Sequence, residues 1–473
     1  MVSDGCSVGG PDRVGRPERG VAAGAGGRGF GESRTRGVRV RLLPPRLMVY
    51  FVLARALFSG EPYREVLRTL AEAVRREDGW GAWRIPDKAA VFRARQNLGV
   101  AVLRELLLHA GAAVADERTP GSFWRGFRLM ALDGTTLQAA DTEANEVGLD
   151  RLRTKAGKGP TGYPPARVMI IVESGTHVVC DAAVDSYRVK ERVLAERLAS
   201  SLRPGMLVLA DRGLPGAHVW QHLAATGADL LWRIPGIWKL PLEEVLPDGS
   251  WISTVRGGRG RSARPPQDIR VRVIEYSLDI PGRDQAERYR LITTLMDPGT
   301  APAAELAALY GERWEVENTL AKLKTTQIGT RTVMPSKSPD LVFQEIYAHL
   351  VLYTGLRVLM HRAAVNRSEP LDPDRLSFTA ALRAARRSIT SLNMDFPPQH
   401  LSTVARELEE EINPPRRLRA VIRQAKRKMS RFLSWNPDRP RPPQPTRRPA
   451  ETLQFITAIA GSVRSSALSH IRW

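Results

Sequence analysis

The chain has 473 residues and carries Cys only at positions 6 and 180, enough for two or three domains but not for a disulfide framework or a Cys-rich zinc site. The N-terminus lacks the apolar core of a signal peptide. The longest apolar stretch near it, residues 47–58, is too short to span a bilayer and contains Arg55, so no membrane partner is expected. Lys and Arg number 71 against 50 Asp and Glu, a formal net charge of +21. That surplus favours a polyanionic partner, because each neutralised phosphate releases condensed counterions. A basic composition inherited from an Arg-preferring genome is the plainer alternative.

In chain order, residues 1–37 are rich in Gly and Arg and poor in large apolar groups, which predicts disorder. Residues 38–120 read as a helical N-terminal domain. Helical apolar spacing runs over 46–60 and 63–76, with a break at Gly60-Glu61-Pro62. Asp87 is placed to cap a further helix that stops at Gly99. Arg93, Arg95 and Gln96 in that helix are candidates for a DNA groove, with packing inside the helical domain as the alternative.

From Phe127 the period changes. Residues 127–132, 166–172, 177–184, 206–210 and 229–234 read as strands, and 189–202 and 215–226 as helices between the later ones. Three antiparallel strands followed by β-α-β crossovers make an α/β mixed sheet flanked by helices. A β-rich insertion is expected at 236–298, around the loop GGRGRSARPP. Helical pattern resumes at 303–325 and 339–365, and residues 371–473 read as a helical and then basic, Pro-rich C-terminal region.

Two aspartates stand out. Asp133 follows the apolar run 127–132 and precedes Gly134; Asp211 follows 206–210 and precedes Arg212-Gly213. An Asp ending a buried strand puts a carboxylate on the sheet's rim. Two such rims on neighbouring strands bring together charges that need a cation between them. A turn residue is the alternative for either Asp alone. Farther on, Tyr310, Arg313, Glu317 and Lys324 are spaced as Y-x2-R-x3-E-x6-K. On a helix these offsets form one stripe, able to offer a metal-binding carboxylate flanked by phosphate-binding groups. A solvated face with an Arg313–Glu317 ion pair is the alternative. The 151–158 loop with Arg151, Arg153, Lys155 and Lys158 lacks P-loop spacing, and His218 and His222 share a helix face without a third zinc ligand.

The unbroken run Tyr310-Gly-Glu-Arg313-Trp-Glu-Val-Glu317-Asn-Thr-Leu-Ala-Lys-Leu-Lys324 is similar to the signature of the insertion sequence 4 family of DDE transposases. The Asp133-Gly134-Thr135 and Ala210-Asp211-Arg212-Gly213 blocks resemble that family's two Asp motifs. They stand 78 residues apart, with 106 more to Glu317. The resemblance covers roughly residues 38–370 and implies an RNase H-like catalytic domain at 121–370.

It also implies a role for each residue. Asp133 would be the bridging ligand and Asp211 and Glu317 the flanking ligands of two Mg2+ ions, with Mn2+ able to substitute. Tyr310, Arg313 and Lys324 would hold DNA phosphates. Asp141 is the main rival for the first position. The activity implied is cut-and-paste DNA transposition through a hairpin, with Tyr289 or Trp251 as the ring that stacks a flipped base. The implied partners are double-stranded DNA, meaning terminal inverted repeats and target, and a second copy of the chain in a homodimer. The implied setting is the bacterial cytoplasm and its nucleoid. A non-catalytic DNA-binding protein and a junction-selective nuclease are the competing classes.

Overall fold

The computed structural model describes residues 43–75, 83–112, 114–151, 162–256, 267–278, 287–329, 333–367, 369, 371–391, 398–414 and 453–455. The expectations for residues 1–37, for Arg153, Lys155 and Lys158, for the loop at 257–266 and for the basic tail at 416–448 lie outside the described residues.

Four helices come first: α1 (Pro45–Leu57), α2 (Tyr63–Arg75), α3 (Lys88–Leu98) and α4 (Ala101–Ala110). Asp87 caps α3 by accepting from the Ala90 N–H at 2.6 Å, and Gly99, at φ +71°, ends it. Phe51 of α1 and Leu103 and Leu107 of α4 are fully buried in one core with Val168 and Ile170 of the sheet. Arg95 is only 3% exposed. It donates to Gln344 Oε1 at 2.8 Å and to the Leu341 carbonyl at 3.1 Å. Its role is therefore to tie α3 to the later helix that carries both residues, and only Arg93 and Gln96 of the three groove candidates are exposed.

The sheet begins with β1 (Phe123–Trp124) and β2 (Phe127–Gln138), joined through Arg125 and Gly126, both at positive φ, as a two-residue hairpin turn requires. After α5 (Glu143–Leu149) come β3 (Pro165–Glu173) and β4 (Val179–Ser186), antiparallel to their neighbours. Then α6 (Glu191–Arg197), β5 (Met206–Ala210), α7 (Ala217–Ala224) and β6 (Asp229–Arg233) supply the crossovers. β2 pairs with β5, and β5 with β6, in parallel. The order β4-β3-β2-β5-β6, three antiparallel strands and then two parallel additions, is the RNase H-like arrangement. Alternate residues of β2 face opposite layers. Leu129 and Ala131 join the core shared with the N-terminal helices, while Met130 and Leu132 pack with Leu194 of α6 and Leu223 of α7. Burial on both faces is why these strands read as continuous apolar runs.

The structure departs from the expected strand end. β2 runs on to Gln138 because β3 continues to pair with it, from Asp133↔Ile170 to Gln138↔Pro165. On the other side its pairing with β5 stops at Leu132↔Ala210. Asp133 is thus inside a strand yet on a rim toward β5.

The β-rich segment after β6 does not leave this sheet. Strands β7 (Glu244–Val245), β8 (Trp251–Val255), β9 (Ile269–Leu278) and β10 (Glu287–Thr293) extend it in the order β6-β10-β9-β8-β7, with β11 (Leu453–Phe455) on the second half of β9. The fully buried Arg272 of β9 pins the extension. It pairs with Asp248 and donates to Ser250 Oγ at 2.8 Å and to the Ala301 carbonyl at 2.6 Å.

A long helical run follows: α8 (Ala303–Leu309), a 3₁₀ turn (Tyr310–Arg313), α9 (Trp314–Lys322) and a π-turn (Leu323–Gln327). Helix α10 (Pro339–Val365) then packs against α1, α4 and β4, before α11 (Phe378–Ser391) and α12 (Pro398–Glu410). Among the described residues no helix is long and apolar enough to cross a membrane.

Replacing Arg272 by Met strands the buried acceptors it serves. A loss of about 3–5 kcal/mol is expected, measured by urea unfolding. A loss below about 1 kcal/mol would show that the extension is held by its strand ladders alone.

Candidate active site

The site forms where the parallel pairing of β2 and β5 ends. Leu132 and Ala210 are paired, so Asp133 and Asp211 stand at equal height on adjacent strands, whose backbones lie roughly 4.8 Å apart. Each carboxylate is turned by the next peptide. Asp133 Oδ1 accepts from the Gly134 N–H at 2.8 Å and Asp211 Oδ1 from the Arg212 N–H at 2.6 Å. One oxygen on each carboxylate is thereby oriented by backbone, which fixes the direction of the other.

The helical run through α9 passes over this rim. Tyr310, 5% exposed, donates its hydroxyl hydrogen to the carbonyl of Ala210, the residue before Asp211, at 3.1 Å. Arg313, 6% exposed, reaches Glu317 Oε1 at 2.9 Å. The i,i+4 ion pair of the simpler reading does form, with Arg313 buried and Glu317 half-buried rather than both solvated. Lys324 Nζ donates to Thr135 Oγ1 of β2 at 3.0 Å, two residues past Asp133.

The stripe is not built on one uniform helix. The 3₁₀ turn eclipses Tyr310 and Arg313, α9 carries Glu317, and the wider π-turn underwinds the run at Lys324. All four residues face the sheet's rim.

Electrostatics single out Asp133. Burial pushes its carboxyl up to about 6; the Gly134 N–H and Arg313 oppose that rise, and the charges of Glu317 and Asp211 add to it. Three carboxylates therefore sense one another, with Arg313 as the nearby countercharge. Their ligand oxygens are not all within 4.8 Å of one another, and Glu317 is turned toward Arg313. A cation drawing the three together competes with that guanidinium for Glu317. The donor set is all oxygen, which suits Mg2+ or Mn2+.

The other candidates are dispersed. Asp141 is exposed and paired with Arg151, away from this rim. Trp251 is 6% exposed within the second core and offers no face for a base. His218 stacks on His222 and binds Glu196 at 2.7 Å. Tyr289 of β10 is half-buried and stacked on Tyr276 at 5.2 Å between centroids. The Arg233 guanidinium lies over the Tyr289 ring at 3.9 Å.

Two residues at this place escaped sequence reasoning. Thr135 stands in the first Asp block, but nothing in the sequence marks it as the partner of Lys324. Arg233 did have a signal: it ends the apolar strand β6 as Asp211 follows the end of β5, and its charge bears on both Tyr310 and Tyr276.

Comparison with known proteins adds the rest. Residues 28–107 match the model of the insertion element 4 transposase N-terminal region, and residues 124–354 match the transposase DDE domain. The transposase InsG for insertion sequence element IS4 of Escherichia coli is 27% identical over 403 residues, covering 84% of this chain and 88% of that protein. InsZ of the same organism is 26% identical over 216 residues, 46% of this chain and 69% of that one. Among solved structures, the cryo-EM structure of the piggyBac transposase synaptic complex with hairpin DNA aligns at a TM-score of 0.42 and 13% identity, over 77% of this chain and 76% of that one. One family model covers the helices that precede the sheet, the other covers the sheet and the helix above its acidic rim, and the chain belongs to the insertion sequence 4 family of DDE transposases.

Proposed function

We propose that this DNA transposase moves the element that encodes it by cut-and-paste, with Asp133, Asp211 and Glu317 as the catalytic, metal-binding carboxylates. The observation that carries the reading is the meeting of Asp133 and Asp211 at one height under Glu317, with Asp133 held up to about 6 by burial and by the other two.

Two divalent cations, Mg2+ or Mn2+, when bound there, supply Lewis-acid charge for the attacking and departing oxygens of phosphoryl transfer. Asp133, Asp211 and Glu317 would hold these ions, with Asp133, the carboxyl that senses both others, in the central role. Tyr310 holds the Ala210 carbonyl and so fixes the backbone from which Asp211 projects. Its single hydroxyl hydrogen is already engaged there, which makes it a positioning residue first and a phosphate contact only if that bond opens. Arg313 offers a planar donor fork to phosphate, and Lys324 an ammonium with more donors than its bond to Thr135 uses. Tyr289 is backed by Tyr276 and covered by Arg233, so a base that leaves the duplex when a hairpin forms would stack there only by displacing the Arg233 guanidinium. Pairing of two element ends calls for a homodimer.

Three outcomes are expected. Asp211→Asn should lower cleavage of terminal inverted repeats in Mg2+ by about a thousandfold or more, while gel-shift affinity for the same DNA stays within a few-fold. Wild-type protein that binds these ends without cutting them would instead mark a non-catalytic DNA-binding protein, and cutting confined to branched DNA a junction nuclease.

Lys324→Met should weaken end binding at every sequence alike and reduce the slope of log affinity against log salt by about 1. An unchanged slope removes Lys324 from the phosphate contacts.

A proton on Asp133 competes with the cation. The raised carboxyl is protonated below about 6 and ionised above it, so Mn2+ affinity should be level above that pH and fall roughly tenfold per pH unit below it. Calorimetric titration across pH 5 to 8 reads this directly, and a level profile down to pH 5 contradicts it.

A further inference from the structure

On the other side of α9 from the ion-paired Arg313, a second set of ligand atoms converges. His177 sits in the turn between β3 and β4 at φ +59° and is fully buried. Its Nδ1 lies 3.3 Å from the carbonyl oxygen of Glu315 and 3.2 Å from Thr319 Oγ1, both on α9. With Nδ1–H donating to that carbonyl, the neutral ring presents its lone pair at Nε2. That nitrogen is 3.2 Å from Glu315 Oε2 and 2.6 Å from Asp374 Oδ1, the latter on the 3₁₀ turn Pro373–Arg375. It has no hydrogen-bond partner of good geometry in the structure, although Asp374 lies at hydrogen-bonding distance. Among the described residues, His177, Glu315 and Asp374 are the one group of three whose ligand atoms all lie within 4.8 Å of one another.

Three lone-pair donors facing one another repel unless positive charge stands among them. Arg357 of α10, stacked on Tyr353 and Phe378, is one neighbouring cation, and Asn318 Nδ2 donates to Glu315 Oε2 at 3.2 Å. The ring has what a metal-bound imidazole needs: Nδ1 is oriented by a backbone carbonyl, and Nε2 is turned toward two carboxylates. Imidazole with two carboxylates suits Zn2+ and its transition-metal neighbours and disfavours Mg2+. The two carboxylates each remain about one-sixth exposed, which leaves a path for the ion and for a water as fourth ligand.

We propose that His177, Glu315 and Asp374 form a structural transition-metal site, of the Zn2+ class, that clamps α9 to the β3–β4 turn and to the turn before α11. It is separate from the Asp133 rim and does not depend on the DNA chemistry assigned there. Glu315 is two residues before Glu317, so the ion would fix the rotation of α9 and thereby the height at which Glu317 meets the rim. The rival explanation is a histidinium held by two carboxylates, with no metal.

The test uses the full chain, stripped with a chelator and dialysed against Zn2+ in the presence of millimolar Mg2+ to occupy the oxygen site. Metal content by plasma emission should show one zinc per chain in wild type and in Asp211→Asn, and less than about a tenth of that in His177→Asn and Asp374→Asn. Asn tolerates the left-handed backbone at position 177. Co2+ in place of Zn2+ should give visible d–d absorption in wild type that both variants lack. Removing zinc should lower the wild-type melting temperature by several degrees, to a value that chelator no longer changes in the variants. The proposal is overturned if wild type retains no zinc, if His177→Asn or Asp374→Asn retains as much as wild type, or if only Asp211→Asn loses it. Should His177→Asn fail to fold, Asp374→Asn and the chelator-dependence of the wild-type melt decide between metal and histidinium.

Discussion

The register of β2 against β5 governs everything else at the rim. Parallel pairing ends at Leu132↔Ala210, and from that one match the two aspartates acquire equal height without any side chain having to arrange it. Buried apolar strands make the register unambiguous. Slipping β2 by one residue would send Leu129 and Ala131 into the layer now filled by Met130 and Leu132. The Tyr310 hydroxyl then grips the last β5 carbonyl, so the helical run is referenced to the same point of the sheet.

That helical run solves a geometric problem. Side chains at positions 310, 313, 317 and 324 drift around a uniform α-helix by several tens of degrees. Tightening to 3₁₀ pitch at one end and loosening to π pitch at the other brings the four back into line. Arg313, buried, and Glu317, half-buried, neutralise each other in the meantime. At Asp133, burial and two carboxylates outweigh one guanidinium and the Gly134 N–H.

Much of this was legible in the chain. The strands of the RNase H-like core announced themselves because both faces are buried, and Asp133 and Asp211 because each follows an apolar run. What could not be read was decided by tertiary contacts. β2 outlasts its apolar run because β3 keeps pairing with it. Arg95 reads as a groove-seeking cation, yet Gln344 and Leu341, some 250 positions away, claim it for the interior. The contacts of Arg233 with Tyr289 and of Thr135 with Lys324 became visible only when the sheet set them side by side. The meeting of His177 with Glu315 and Asp374 joins three elements with no local spacing to betray it.

The β-rich segment beyond β6 has a mechanical meaning. Because β10 is hydrogen-bonded to β6 and β6 to β5, the Tyr289 ring and the Asp211 carboxylate ride on a single ladder with no joint between them. On the reading proposed above, in which a nucleotide rests on that ring, no moving arm fetches it; the duplex must come apart to reach it. The energy of unstacking then falls on the nucleic acid, and ends whose base steps separate easily are favoured before a single base edge has been read.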